Sequence, residues 1–341
     1  MKTVTIPTNG PPEILEVRES PDPVPASGEV VIAVKAAGIN FADILARQGL
    51  YPDAPGFPAV VGYEVAGEVI SVAAGVSDFR EGDRVTALTR FGGYAEKVAV
   101  PADQVFRTPG LLSDIEAAAI PVTYLTAMQL TEMGGLMADD TLLIHNAGGG
   151  VGLAAIDLAK QRGARILGTA SGWKHEQLYR RGVDVCIDYR SGDWYEKVKD
   201  ATNGKGVEVI FDPLGGKNWK QSYRALRPTG RLGMFGVSEV TVSGLPGGLK
   251  FVSLLKSMPL YAPVQLMNAN KGVFGVNIGK LWHERRKLSA WAQKILQGAE
   301  EGWLKPKISA VFSFDEAWAA HRYIENRSNF GKVILIPEKS E

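Results

Sequence analysis

The chain has few of the residues that build metal cages and covalent crosslinks. Its 341 residues hold one cysteine, Cys186, and four histidines, His145, His175, His283 and His321. A single cysteine excludes an intramolecular disulfide and a thiolate metal cage. The histidines are scattered, with no paired zinc-ligand spacing, so no metal is expected. An excess of one charge is also missing. Lys+Arg number 38 against 37 Asp+Glu, a formal net charge of +1, which gives no electrostatic reason to expect nucleic acid or an anionic membrane as the main partner. The basic runs Arg180-Arg181 and Arg285-Arg286-Lys287 are short and read as solvated helix faces. No apolar stretch reaches the about 18 residues of an integral membrane span. The N-terminal MKTVTIPTNG lacks the basic-then-apolar pattern of a secretory signal, and a cytoplasmic location is expected. Cys186, inside the apolar run 183–187, is expected to be a buried, inert thiol.

Hydrophobic residues make up 45% of the chain and charged residues 22%, enough apolar matter for a substantial core. The length makes two domains the default. The first third carries short strand-like runs punctuated by Gly and Pro, at 29–35, 63–73, 83–87 and 95–100, and predicts a compact, mostly β domain. After Pro121 the rhythm becomes strand–helix–strand. Strands are predicted at 141–146, 165–170, 183–188, 207–212 and 231–236, with helices at 151–162 and 175–181 among those between, and a sixth strand candidate at 273–278. Such a series predicts an α/β, doubly wound parallel sheet. The tail offers strands 308–314 and 332–336 around a helix at 314–325, and its return to the first domain is plausible on pattern.

Directly after strand TLLIHN comes AGGGVG, at 147–152, and then an apolar helix. Read as A-x-G-x-x-G, this is a variant of the dinucleotide fingerprint. Ala147 makes the tight turn, Gly149 lets the backbone approach a pyrophosphate, and Gly152 lets helix pack on strand, with the helix N-terminus supplying N–H donors. NAD enzymes usually offer a carboxylate about 20 residues on, at the end of the second strand. This chain offers TASGWKH at 169–175. No acidic side chain stands there, while Ser171 and Lys174 could hold a 2′-phosphate, so NADPH is the predicted cofactor. Their plain structural role is a helix cap and an exposed lysine.

These motifs bring a family into view. The chain resembles the medium-chain dehydrogenase/reductases, specifically the quinone oxidoreductases and, within them, the vesicle amine transport protein-like branch. The likeness runs nearly end to end, through AAGINFADILARQGLY at 36–51, VGYEVAG at 61–67, YLTA at 124–127, the glycine loop, 168–175, DPLGG at 212–216 and NFGKVI at 329–334. The resemblance implies a GroES-like catalytic domain from 1–121 plus 304–341, and a Rossmann NADPH-binding domain at 122–303. It points to Gly150, Val151, Ser171, Lys174 and Tyr189 for the pyrophosphate and 2′-phosphate, and to Asn40, Thr126, Asn329 and Lys332 for the nicotinamide end. Gly236, closing the strand candidate 231–236, is a further cofactor-binding candidate. Family members commonly dimerise through the edge strand of the Rossmann sheet, here 273–278, so a homodimer is expected. Membrane association belongs to the picture of the vesicle protein branch.

Zinc alcohol dehydrogenases of the same superfamily place a cysteine ligand where this chain has Asn40, and a histidine where it has Tyr63. Glu64 remains, and one carboxylate is not a site. Without a Lewis acid, polarising a simple ketone is harder. A quinone or α,β-unsaturated carbonyl delocalises the arriving charge itself and needs only hydrogen-bond help. A zinc-independent reductase of quinones or enones is therefore the leading expectation. Its rivals are a 2-enoyl thioester reductase and a nucleotide-binding adaptor with little turnover. Tyr51, where related enoyl thioester reductases carry an active-site tyrosine, is the candidate proton donor, against simple packing beside the loop 52–58. Asn40, the second catalytic candidate, could equally cap the helix 41–47 with Asp43 completing a capping box. The pair Tyr195 and Lys199 matches the Y-x-x-x-K of short-chain dehydrogenases but falls too soon after the glycine loop to be catalytic. The apolar segment 237–271 could serve as channel wall, dimer contact, membrane patch or plain core.

Overall fold

The computed structural model describes residues 1–238 and 256–338, so the stretch 239–255 of the apolar segment 237–271 lies outside the described residues. The chain forms two compact units, Met1–Leu125 with Gly279–Glu341, and Thr126–Ile278.

The first unit is mostly β. A small hairpin, β1 (Lys2–Thr5) and β2 (Glu16–Glu19), precedes the long strand β3 (Glu29–Gly38). Strands β4 (Glu64–Val72), β5 (Arg84–Leu88), β6 (Lys97–Pro101) and β7 (Val105–Arg107) follow. The seven-stranded sheet runs Ile308–Ser313, Lys332–Ile336, β3, β4, β5, β7, with β6 also paired to β3. Tail strand Lys332–Ile336 lies antiparallel to β3, Ile334 opposite Gly38 and Leu335 opposite Ala37. The return of the tail to the first unit thus follows from main-chain pairing. Being central, β3 is buried along most of its length, which is why EVVIAVKAAG reads as a nearly continuous apolar run. Its Ile32 and Val34 meet Val65, Val69, Val85, Phe314 and Leu335 in one core. Each such side chain contributes about 1.5–3 kcal/mol on burial.

Helix α1 (Phe41–Arg47) leaves the end of β3 after the N-cap Asn40. A short helix α2 (Asp114–Ala117), closed by the Ser113/Glu116 capping box, leads to α3 (Pro121–Met133), which spans the division between the units. The second division falls at 278/279, earlier than the 303/304 boundary expected from sequence. Helix Arg285–Glu300 lies with the first unit, where Arg285 pairs with Asp103 at 2.6 Å. That pairing has no local sequence signal.

The second unit holds β8 (Thr141–Ile144), α4 (Gly150–Gln161), β9 (Arg165–Ala170), α5 (His175–Arg181) and β10 (Val185–Asp188). It continues with α6 (Trp194–Ala201), β11 (Val207–Asp212), α7 (Gly216–Ala225), β12 (Leu226–Met234) and β13 (Gly272–Gly275). All neighbours are parallel, in the order β10-β9-β8-β11-β12-β13. The chain winds outward from β8 in one direction and then restarts at β11 in the other. That reversal is the topological switch of a Rossmann sheet, and ligands bind outside the carboxyl ends of the strands beside it. The sixth strand candidate is real, and β13 forms one edge.

Candidate active site

In the second unit, the glycine loop stands between the end of β8 and α4, as the fingerprint requires. Gly149 is the N-cap of α4 with no side-chain cap, so the first N–H groups of the helix are not closed off by its own cap residue. A Cβ on Gly152 would lie 2.5 Å from the Asn146 carbonyl oxygen and 2.6 Å from that of Ala147. Only glycine allows this approach of helix to loop. The backbone N–H of Ala147 donates to the Thr169 carbonyl at 3.0 Å, tying the loop to β9. Gly150 and Val151 occupy the first turn of α4.

At the end of β9, Ser171 is the N-cap of a single 3-10 turn, Gly172–Lys174. Its Oγ lies 3.3 Å from the hydroxyl of Tyr189, which follows β10. Lys174 is buried, contrary to the plain expectation of an exposed lysine, with its ammonium 5.0 Å from the centre of the Trp173 ring. Ser171, Lys174 and Tyr189 thus share one corner at the ends of adjacent strands. One expectation needs amending. The carboxylate missing from 169–175 arrives from β10, because Asp188 Oδ2 accepts from Gly172 N at 3.0 Å while Oδ1 accepts from Arg190 N at 2.8 Å. Cross-strand register delivers it, and a window on β9 alone could not reveal it. The donors fit an anionic nucleotide: an open helix N-terminus, an ammonium and two hydroxyls. Gly236 follows β12, and a Cβ there would stand 3.0 Å from the Pro213 carbonyl. Thr126 is buried in α3.

Below this loop lies a polar cluster that sequence reading missed. His145 is fully buried, with Nδ1 3.0 Å from Thr169 Oγ1 and Nε2 3.1 Å from Ser222 Oγ. Ser222 and Asn218 each donate to Asp212 Oδ2 at 2.7 Å. Burial holds the imidazole below its ordinary pKa, against the opposing pull of Asp212, and so favours its neutral form. The cluster joins the ends of β8, β9 and β11 to α7.

In the first unit, Asn40, Glu64 and Lys332 meet. Glu64 is wholly buried, and its Oε1 accepts from Asn40 Nδ2 at 2.9 Å and pairs with Lys332 Nζ at 2.5 Å. Its Oε2 accepts from Val122 N at 2.7 Å. Lys332 Nζ also donates to Asn40 Oδ1 at 2.6 Å. Asn40 and Lys332, separated by 292 positions, were both expected from the resemblance; the carboxylate that joins them was underrated. Asn329 lies on the same tail segment and donates to the Gly331 carbonyl at 2.9 Å.

Asp43 supplies the capping role foreseen for the start of α1, since its Oδ2 accepts from Asn40 N at 2.7 Å. It does more than cap. Tyr94 donates to the same oxygen at 3.0 Å, and Gly62 N donates to Oδ1 at 3.1 Å. Burial pushes the Asp43 carboxyl up to about 6 in spite of these donors. Asp43 therefore fixes Asn40 and the backbone just before Tyr63 from one side chain. Tyr63 is buried, its ring 5.0 Å from Phe91 and 6.0 Å edge-on from the half-buried Tyr51. Burial first, and the Tyr51 hydroxyl second, drive the Tyr63 phenol well above its ordinary range.

Two sequence features resolve into structural roles. Lys199 donates to the Gly204 carbonyl at 2.6 Å, closing the end of α6, and Tyr195 carries Arg224 over its ring at 5.1 Å. Cys186 is half-buried, less than expected, and burial lifts its thiol to about 11, well away from a reactive thiolate. Among the described residues no group of three or more His, Cys, Asp or Glu could hold a metal ion.

Comparison with known proteins follows the same outline. Residues 26–110 match the alcohol dehydrogenase GroES-like domain, and residues 150–294 match a domain described as zinc-binding dehydrogenase. The synaptic vesicle membrane protein VAT-1 homolog of Rattus norvegicus is 37% identical over 325 residues, covering 95% of this chain and 80% of the relative. A quinone oxidoreductase of Pseudomonas aeruginosa is 32% identical over 339 residues, 98% of this chain and 99% of that one. The chain belongs to the medium-chain dehydrogenase/reductase superfamily, in its zinc-free quinone oxidoreductase family and VAT-1-like branch. It is thus an oxidoreductase of that superfamily by descent, with the GroES-like and Rossmann domains on which the family is built. The crystal structure of Escherichia coli quinone oxidoreductase complexed with NADPH superposes with a TM-score of 0.88 at 29% identity, covering 99% of this chain and 100% of that one. The CurK enoyl reductase structure gives 0.84 at 27% identity, with 98% of each chain covered.

Proposed function

We propose that this protein is a zinc-independent, NADPH-dependent reductase of quinones or α,β-unsaturated carbonyls. The observation that carries the reading is the Asn40–Glu64–Lys332 cluster. Where zinc dehydrogenases keep a cysteine and a histidine ligand, this chain has an amide and a phenol, and the retained Glu64 is already paired with an ammonium. A cation bound there would have to displace Lys332 and would find no thiolate or imidazole.

NADPH supplies a hydride when bound. Ser171, Lys174 and Tyr189 hold its 2′-phosphate, Gly149, Gly150 and Val151 present the pyrophosphate to the N-terminus of α4, and Ala147 and Gly152 shape the loop. Asn40, Thr126, Asn329 and Lys332 serve the nicotinamide end, and Gly236 is a further cofactor contact. Asn40 and Tyr51 orient the substrate carbonyl with hydrogen bonds as negative charge develops on it. An electron-poor conjugated acceptor suits such a site because it spreads that charge without a Lewis acid.

The P. aeruginosa and E. coli relatives, named as quinone oxidoreductases, support the quinone arm, and the CurK neighbour supports the enone and enoyl thioester arm. The same reading places the protein in the cytoplasm as a homodimer joined through β13. The names of its VAT-1 relatives make a vesicle surface the competing location, which cell fractionation separates. No described helix is long and apolar enough to cross a membrane.

The test is NADPH oxidation by metal-stripped protein against quinones, enones and enoyl thioesters of graded length. Turnover that survives stripping supports the reading. Turnover restored only by zinc refutes it, and intact NADPH binding with no turnover moves the function to the adaptor class.

A further inference from the structure

Resting on the reductase reading, we infer that Tyr63 is a positioning residue for Tyr51: its hydroxyl donates to the Tyr51 oxygen and steadies the phenolate left when Tyr51 gives up its proton. The two rings stand edge-on, 86° apart with centroids 6.0 Å apart. Their environments differ in the direction the roles demand. Tyr63 is 4% exposed, sandwiched between Tyr51 and Phe91, and its backbone carbonyl accepts from Thr89 N at 2.9 Å. Tyr51 is only half-buried. The buried phenol cannot shed its proton cheaply, because its anion would lose hydration. Nearby Asp43 and Asp53 add to that cost. Tyr63 is therefore the permanent donor of the pair, and the more accessible Tyr51 is the one able to deliver a proton and recover one from water.

The enone gains a hydride at its β-carbon, forming a C–H bond, while the reduced nicotinamide is oxidised. The C=C π pair moves through the α-carbon onto the carbonyl oxygen, giving an enolate. The Tyr51 O–H bond breaks, its proton passes to the enolate, and a phenolate remains that accepts the Tyr63 hydrogen bond until water reprotonates it. Position 63 is where zinc dehydrogenases have a ligand histidine, and here it holds a phenol beside the proton source.

The experiment combines Tyr63→Phe, Tyr51→Phe and the double variant with an enone substrate. Tyr51→Phe is expected to lower kcat by about a hundredfold, within the range of general acid catalysis. Tyr63→Phe lowers it by about tenfold, the worth of one hydrogen bond to an ionised group, with KM for NADPH unchanged. The double variant is no slower than Tyr51→Phe alone, because the two act as a unit. A second readout needs no cofactor: in the apoprotein, ring-carbon NMR of labelled tyrosine follows Tyr51 ionisation, which Tyr63→Phe shifts upward by about one pH unit. Phe91→Leu keeps both hydroxyls but frees the Tyr63 ring, and produces a smaller fall in kcat; it covers the case in which Tyr63→Phe does not fold. Full kcat in Tyr63→Phe and Phe91→Leu, or an unmoved Tyr51 titration, overturns the inference. If wild-type protein reduces no enone, the reductase reading fails separately, and the apoprotein titration still judges the pair.

Discussion

At the scale of single residues, the pair Glu64–Lys332 concentrates most of the risk. Both members are buried, and a buried pair broken on one side leaves an uncompensated charge. Lys332→Met is expected to destabilise the fold by about 3–5 kcal/mol, read as a lowered denaturant midpoint. Adding Glu64→Gln should recover much of that loss, since it removes the stranded charge. Equal stability of the single and double variants would contradict this account of the pair. Lys174 makes a different prediction. If its buried ammonium holds the 2′-phosphate, Lys174→Ala raises KM for NADPH by tenfold or more, about the worth of a charge-assisted hydrogen bond, and leaves KM for NADH unchanged. Parallel changes for both cofactors would remove Lys174 from that role. Asn40 shows how much a residue type can tell in advance. Its cap position was legible from the Asn–Asp spacing, but its side-chain partners come from β4 and from a tail strand nearly three hundred positions away. Asp188 teaches the same lesson at the cofactor corner, where it reaches Gly172 across strands. Residue types within one element are visible to sequence reading; the third partner delivered by tertiary register is not.

Among the elements, the loop between β8 and α4 is the least tolerant. Gly152→Val would drive side-chain atoms into the Asn146 and Ala147 carbonyls, and both Tm and NADPH affinity are expected to fall together. Retained NADPH affinity in a folded Gly152→Val protein would contradict the fingerprint reading of this loop. The edge strand β13 carries the dimer proposal. An edge presents unpaired N–H and C=O groups to a second copy, so proline at exposed Gly275 is expected to shift sedimentation from dimer to monomer. Sedimentation of the wild type as a monomer would end that proposal. Helices and strands with a clear period were legible: β9, α5, β11 and tail strand Lys332–Ile336 fall where the pattern puts them. Helix Arg285–Glu300 lies in the first unit, beyond the division at 278/279, where the resemblance implied a Rossmann domain running to 303; a buried amphipathic face does not tell what buries it.

For the molecule as a whole, two buried groups in the first unit give stability a readable pH dependence. Burial, aided by the Arg47 guanidinium, pushes His321 down to about 3. Its Nδ1 faces Arg47 Nη1 at 3.4 Å, and its Nε2 has no hydrogen-bond partner among the described residues. A base whose folded pKa is depressed binds fewer protons folded than unfolded, so its contribution is intact above the ordinary value of 6.5 and is lost as pH falls toward 3. Asp43 runs the other way. Its folded pKa of about 6 exceeds the ordinary 3.8, so its contribution is present at low pH and is lost as pH rises through 6. The histidine spans the wider window and dominates as pH falls below 3.8, where Asp43 becomes protonated in both states. His321→Gln should therefore flatten the acid limb of the stability curve by up to about 1.4 kcal/mol per pH unit. Parallel curves for variant and wild type would contradict this.

The architecture was legible at this scale because a Rossmann unit advertises itself through its strand–helix rhythm and its glycine loop. The chemistry was legible only by what stands in for the ligand residues, Asn40 and Tyr63. The most direct test of the central claim is reduction of a quinone and enone panel by NADPH with metal-stripped protein. We predict turnover that is undiminished by chelator and unaffected by added zinc; turnover that vanishes on stripping and returns with zinc would contradict the account.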